Sequence, residues 1–209
     1  MTNEITAKKA GRPRAAAQPE LRAVLLRTAR ELLDADGPAA LSMREVARRA
    51  GCTHQAPYHH FEDRESILAE LVRDGFDDLA ARLAAANECA EAGGLRAALV
   101  ASARAYVAFA LAQPGVFRIM FRPDACNPAR FPEVREAGAR ARAELQRLAT
   151  LAASPVLPAD QVETILWAQV HGLAGLALDS GLMPEPGRAA HLAAVTERFA
   201  ELILHGRWV

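Results

Sequence analysis

The stretch LSMREVARRAGCTHQAPYHHF, residues 41–61, sets two short helical patterns on either side of a glycine turn. Ser42 stands where an N-cap belongs. Glu45, three residues on, can close a capping box, and Leu41 can staple onto Val46. That helix stops at Gly51. A third, very short helix is predicted to begin at Thr53 as N-cap. Pro57 falls at its fourth position and removes an early backbone bond, so the element should be short or irregular. Two helices joined by a tight turn containing glycine, here Gly51-Cys52-Thr53, form the helix-turn-helix pattern.

His54, His59 and His60 crowd this segment, and three chemistries could use them. A zinc site wants convergent ligands completed by Cys, His or carboxylate. His54 and His59 are five residues apart, about 140° round a helix, so they do not share a face. A metal site through Cys52, His54 and His59 remains an alternative. A catalytic reading has no Ser, Cys or carboxylate placed by spacing to pair with a histidine. Duplex reading needs a short helix with polar side chains at its start facing base edges, and hydroxyls near phosphate. His54, Gln55 and His59 can read bases, Gln55 bidentately on adenine. Ser42, Thr53 and Tyr58 offer hydroxyls to phosphate, and Arg44 reaches backbone or a guanine.

Outward from this segment almost everything after residue 18 reads as helix, without sustained alternation or β-branched runs. The first helix is predicted from Pro19 to Asp36, with Gly37 suited to the left-handed cap. Residues 1–17 are polar, basic and broken by Gly and Pro, and are expected to be a disordered arm. Up to Arg30 the bases Lys8, Lys9, Arg12, Arg14, Arg22, Arg27 and Arg30 face only Glu4 and Glu20, although the whole chain has net charge +0. An anionic partner for that end is implied. KKAGRPR reads equally as a minor-groove or phosphate contact and as a solvated tail.

The 209 residues, 51% hydrophobic, suffice for a sizeable core. Cys52, Cys89 and Cys126 are few, odd in number and far apart, so no disulfide framework is expected, and the natural compartment is the cytoplasm. Neither a membrane span nor a secretory leader is read, and no cofactor or metal is expected. Cys126, near a proline-bounded loop, is a minor candidate for a redox switch.

LSMREVARRAG, PYHHF and DRESIL together resemble the DNA-binding domain of the tetracycline-repressor-like (TetR) family of transcription regulators, over residues about 19–80. The resemblance implies an all-α chain of about nine helices. Its three-helix head would span 18–64, a connecting fourth helix 65–83, and a ligand-binding and dimerisation domain 84–209. Carried over by position, His54, Gln55, Ala56 and His59 would face bases, and Tyr58, His60 and Arg64 would hold phosphates. Arg44 would be a further contact, and Phe61 would be core. WAQVHGLAGL, residues 167–176, resembles the Trp-x-x-x-His-Gly segment of one subgroup of the family.

The C-terminal two-thirds is more apolar than a linker needs. LRAALVASARAYVAFALAQ is apolar nearly all round and should be buried, whereas residues 132–153 read as an Arg/Glu-rich surface helix. Residues 159–179 and 188–205 read as two long helices. Trp167, His171, Ala174 and Leu178 form one stripe, with Ala168, Gly172, Gly175 and Asp179 beside it. Leu192, Val195, Phe199, Leu202 and Ile203 form another. Pairing of these two helices with their symmetry mates would make a homodimer able to address a palindromic operator; packing inside one subunit is the alternative. Phe76, Leu99, Tyr106, Phe109, Phe117, Met120, Phe121, Trp167 and His171 are candidates to line a pocket for a small hydrophobic effector, against the plainer expectation that any one of them is core. Rival functions are a helical small-molecule-binding protein without DNA binding, and a metal-dependent enzyme.

Overall fold

The computed structural model describes residues 18–90, 93–179 and 187–206. The basic arm 1–17, the side chain of Cys89 and the stretch 180–186 lie outside them. Eight α-helices follow in order: α1 (Gln18–Asp36), α2 (Met43–Arg49), α3 (Arg64–Ala90), α4 (Gly94–Ala112), α5 (Pro114–Met120), α6 (Pro132–Ala152), α7 (Ala159–Leu178) and α8 (Arg188–His205). Short 3-10 turns at Pro38–Ala40 and Ala56–His59 flank α2.

Local chemistry accounts for the head. α1 ends at Gly37, whose φ of 77° is left-handed and whose N–H reaches Leu33 O at 3.1 Å. Ser42 caps α2, its Oγ accepting from Glu45 N at 3.1 Å. The capping box is only half closed. The Glu45 carboxylate takes Arg48 at 2.6 and 2.8 Å and Arg49 at 2.9 Å, which lowers its pKa to about 2. Gly51, φ 68°, turns the chain out of α2.

The third helix of the head is shorter than the sequence pattern suggests: only Ala56–His59 are helical, and the form is 3-10. Pro57 has no N–H with which to reach Thr53 O, and Ala56 N takes that carbonyl instead at 3.0 Å. Tyr58 N then bonds Gln55 O, and His60 N and Phe61 N both bond Pro57 O. Pro57 and Phe61 are buried beneath, Phe61 in one core with Leu25, Leu41, Val46 and Ile67.

α3 is a single 27-residue helix, about 40 Å long. It runs from the head through residue 83 and far into the C-terminal bundle. A large apolar cluster joins α1, α2, α3, α4, α5 and part of α7. A second, including Leu99, Val100, Leu148, Val162 and Ile203, closes the far end of the bundle. α4 is long and apolar enough to span a bilayer by length and composition alone, yet it packs against α3, α7 and α8 inside this bundle.

α6 differs from its expected role as a surface helix. Val134, Ala137, Ala141, Leu148 and Ala149 are buried, and the helix lies along α3 and α7. The apolar residues recur every three or four positions, which is an amphipathic face; the arginines and glutamates populate only its other side.

Candidate nucleic-acid interface and ligand cavity

The turn and the 3-10 element set a row of polar side chains in solvent. Thr53, His54, Gln55, Tyr58 and His59 are exposed, Tyr58 to 58%. Ser42 and Arg44 are exposed at the start of α2, and no ion pair holds Arg44 among the described residues. Arg48 and Arg49 are instead neutralised by Glu45 and Asp36. Ala56 and His60 are half-buried, the His60 ring 6.5 Å from that of Phe61. This surface rests on the buried Pro57 and Phe61, so its backbone is fixed from below.

Arg64 is placed differently from a side chain awaiting phosphate. Its Nε donates to Leu41 O at 2.7 Å and its Nη2 to Pro38 O at 2.6 Å. It ties the start of α3 to the loop that carries Ser42. Cys52 donates through Sγ to Ala47 O, 3.6 Å away. No group of three His, Cys, Asp or Glu able to hold a metal occurs among the described residues.

Several contacts join head and bundle. Gly115 N donates to Asp34 Oδ1 at 2.7 Å. A Cβ on Gly115 would lie 2.5 Å from the Leu33 carbonyl carbon, so α5 touches α1 backbone to backbone. Arg130 gathers Glu62, Asp63 and Glu65 at the start of α3, and Asn127 N adds a bond to Glu65. Cys126, in the same loop, is buried, and its thiol is pushed up to about 11 by that burial and by Glu65 and Glu133. A protonated, inaccessible thiol is a poor redox sensor.

The bundle encloses a cavity of about 210 Å³ between α3, α4, α6, α7 and α8. Five of the nine sequence candidates line it: Phe76, Leu99, Tyr106, Phe121 and Trp167. Phe109, Phe117 and Met120 are in the core behind it, Phe109 with no exposed surface. His171 also stands behind the wall, packed on Phe117 at 5.2 Å and Phe121 at 4.8 Å between ring centres. Its Nδ1 is 2.9 Å from Tyr106 Oη. With the imidazole neutral and Nδ1 unprotonated, that nitrogen can accept the tyrosine O–H. Burial lowers the His171 pKa, which favours the neutral ring that this acceptor role requires.

Sequence reasoning missed the contribution of α6, whose Gly138, Ala141, Leu145 and Leu148 form one wall, and the polar group on that side. There the Glu163 carboxylate, nearly buried, is bonded by Arg142 and by Gln146 Nε2. The alternation of three- and four-residue steps in α6 was the available signal.

Part of each stripe expected to pair is turned inward. Ala174, Leu192 and Ile203 are buried within the subunit. Trp167, Leu176 and Leu202 are 44%, 45% and 51% exposed, and Ala168 is exposed beside Gly172. A Cβ on Gly172 or Gly175 would meet open space.

Two family profiles match the chain: "Bacterial regulatory proteins, tetR family" over residues 25–71, and "Tetracyclin repressor-like, C-terminal domain" over residues 99–200. The HTH-type transcriptional regulator Rv1816 of Mycobacterium tuberculosis is 32% identical over 92 residues, 44% of this chain. The match spans 39% of the length of that relative. A solved protein of unknown function from Rhodococcus sp. RHA1 is 34% identical, with a TM-score of 0.73 over 89% of this chain and 94% of its own. A bacterial regulatory protein in the tetR family from Rhodococcus RHA1, 19% identical, shares the fold at a TM-score of 0.68 over 90% of this chain and 96% of its own.

Proposed function

This chain belongs to the TetR family of DNA-binding transcription regulators, and on that premise we propose a homodimeric repressor that holds a palindromic operator until a small hydrophobic effector releases it. The observation that carries the reading is the course of α3. Its first residue, Arg64, braces the loop before α2, while Phe76, Leu79 and Leu83 further along form part of the cavity wall. One stiff rod therefore touches both the head and the cavity. An effector that fits the cavity better when α3 is displaced shifts the protein toward a head spacing that no longer fits the operator.

On DNA, Gln55, His54 and His59 are assigned to base edges, with Ala56 beside them. Ser42, Thr53, Tyr58 and His60 are assigned to the backbone, with Arg44 to either. Operators selected from a random pool by purified protein test this. Gln55→Ala should lose about 1–3 kcal/mol on the selected site and relax preference at one base pair in each half-site. Unchanged affinity and unchanged preference would remove the reading element from the assignment.

Pairing is assigned to the exposed side of α7 and α8, around Trp167, Ala168, Gly172, Leu176 and Leu202. Gly172→Glu puts a charge into open space within the subunit, so the separated monomer should keep its helicity, with a melting temperature lowered only by the loss of pairing. In sedimentation it should run as a monomer and lose operator binding. A dimeric Gly172→Glu protein would place the interface elsewhere.

A further inference from the structure

Arg142 on α6 and Glu163 on α7 both line the cavity, in different surroundings. The Arg142 side chain is 64% exposed and that of Glu163 11%. Water screens the guanidinium, whereas the carboxylate holds its charge in an apolar wall where screening is weak. The pair is neutral by count, but the charge felt inside the cavity is mainly that of the carboxylate.

The bonding of Glu163 leaves room for another donor. An ionised carboxylate offers about four acceptor positions. Arg142 Nε takes one on Oε1, and Gln146 Nε2 approaches Oε2 at 3.3 Å, long for an N–H···O bond. A ligand filling the cavity drives water from this carboxylate. A neutral apolar body gives nothing in return, an anion adds repulsion, and an N–H cation supplies a charge-assisted bond. Trp167 stands four residues after Glu163, so one turn of α7 sets the indole beside the carboxylate. From Trp167 the rings continue along the wall, to Phe121 at 6.0 Å and from Phe121 to Phe76 at 5.5 Å. Such ring faces attract cations as well as apolar bodies.

We propose that the cavity takes an organic monocation, with an apolar, ring-sized body packed on Phe76 and Phe121 and a protonated amine that donates to Glu163 beside the Trp167 indole. Arg142 gives way at little cost, by turning into the solvent that already surrounds most of it. This inference rests on the cavity being the effector site. It adds the sign of the ligand's charge and the side chain that recognises it.

Calorimetric titration of the full-length protein at neutral pH tests it with 1-naphthylmethylammonium, 1-naphthylmethanol and 1-naphthoate, which share one ring system. The wild-type chain should bind the ammonium about tenfold more tightly than the alcohol, the order of one hydrogen bond to a charged partner. The naphthoate should bind most weakly. Glu163→Gln keeps the shape and removes the charge, and should bring the ammonium and the alcohol to similar affinity. Arg142→Gln alters an exposed side chain and removes the competing cation. It should bind the ammonium severalfold more tightly than the wild type does and leave the alcohol unchanged, and it decides alone if Glu163→Gln does not fold. Tightest binding of the wild type by the alcohol or the naphthoate would overturn the cationic class while leaving the cavity as an effector site. A Glu163→Gln protein that still prefers the ammonium, or an Arg142→Gln protein that binds it no better than the wild type, would remove Glu163 as the recognising group. If none of the three binds to the wild type, the effector reading fails together with this one.

Discussion

Phe109→Ala is expected to lower the unfolding free energy by about 3–5 kcal/mol, as truncating a fully buried phenylalanine does. Phe109 is of the same residue type as the cavity-lining phenylalanines, yet it has no exposed surface and sits behind the wall among the core side chains. Phe121 is half-buried, lines the cavity and meets Phe76 edge-on at 5.5 Å. Phe121→Ala should therefore cost less stability and enlarge a space that already exists. Chemical denaturation of the two variants measures the contrast. Equal losses would mean that the core and the wall are not distinct layers.

Arg64→Ala is the second large effect. Two carbonyls, Leu41 O and Pro38 O, lose charged donors that hold the loop ahead of α2. A loss of about 3 kcal/mol follows from bonds of this kind. In a chain of this size that corresponds to a melting temperature lower by roughly 6–12 °C. With Ser42 and Arg44 no longer held in place, operator affinity should fall for every sequence, while the salt dependence of binding stays parallel to that of the wild type. A direct phosphate contact gives the opposite pair of results: intact stability and a salt slope shallower by about 1. Arg64→Lys should not rescue the fold, because a single ammonium cannot reach both carbonyls as the fork does. Melting curves and titrations at several salt concentrations separate the two roles.

The head was legible because its signals are local. Ser42, Gly37 and Gly51 each act on the backbone within a few residues, and Pro57 announces its own missing hydrogen bond. The bundle was legible as helices but not as walls. Phe109, Phe117 and Met120 differ from Phe76 and Phe121 in direction, not in type, and direction depends on partners distant in sequence. α6 was concealed by the arginines and glutamates on its outer side. By position in the linear chain Arg64 resembles a phosphate ligand, and nothing there shows that Pro38 and Leu41 end opposite it. The same holds for Gly115, whose lack of a side chain makes sense only once Leu33 and Asp34 are seen against it.

Because Pro57 is buried and fixes its own φ, the segment proposed to read bases would meet a duplex already shaped. It has little freedom to surrender on a matching site and little with which to remould itself on a mismatched one. Discrimination among sites should then appear in how long the protein stays rather than in how fast it arrives. A near-miss would be abandoned quickly, and a search along a genome would not stall on imperfect copies of the target.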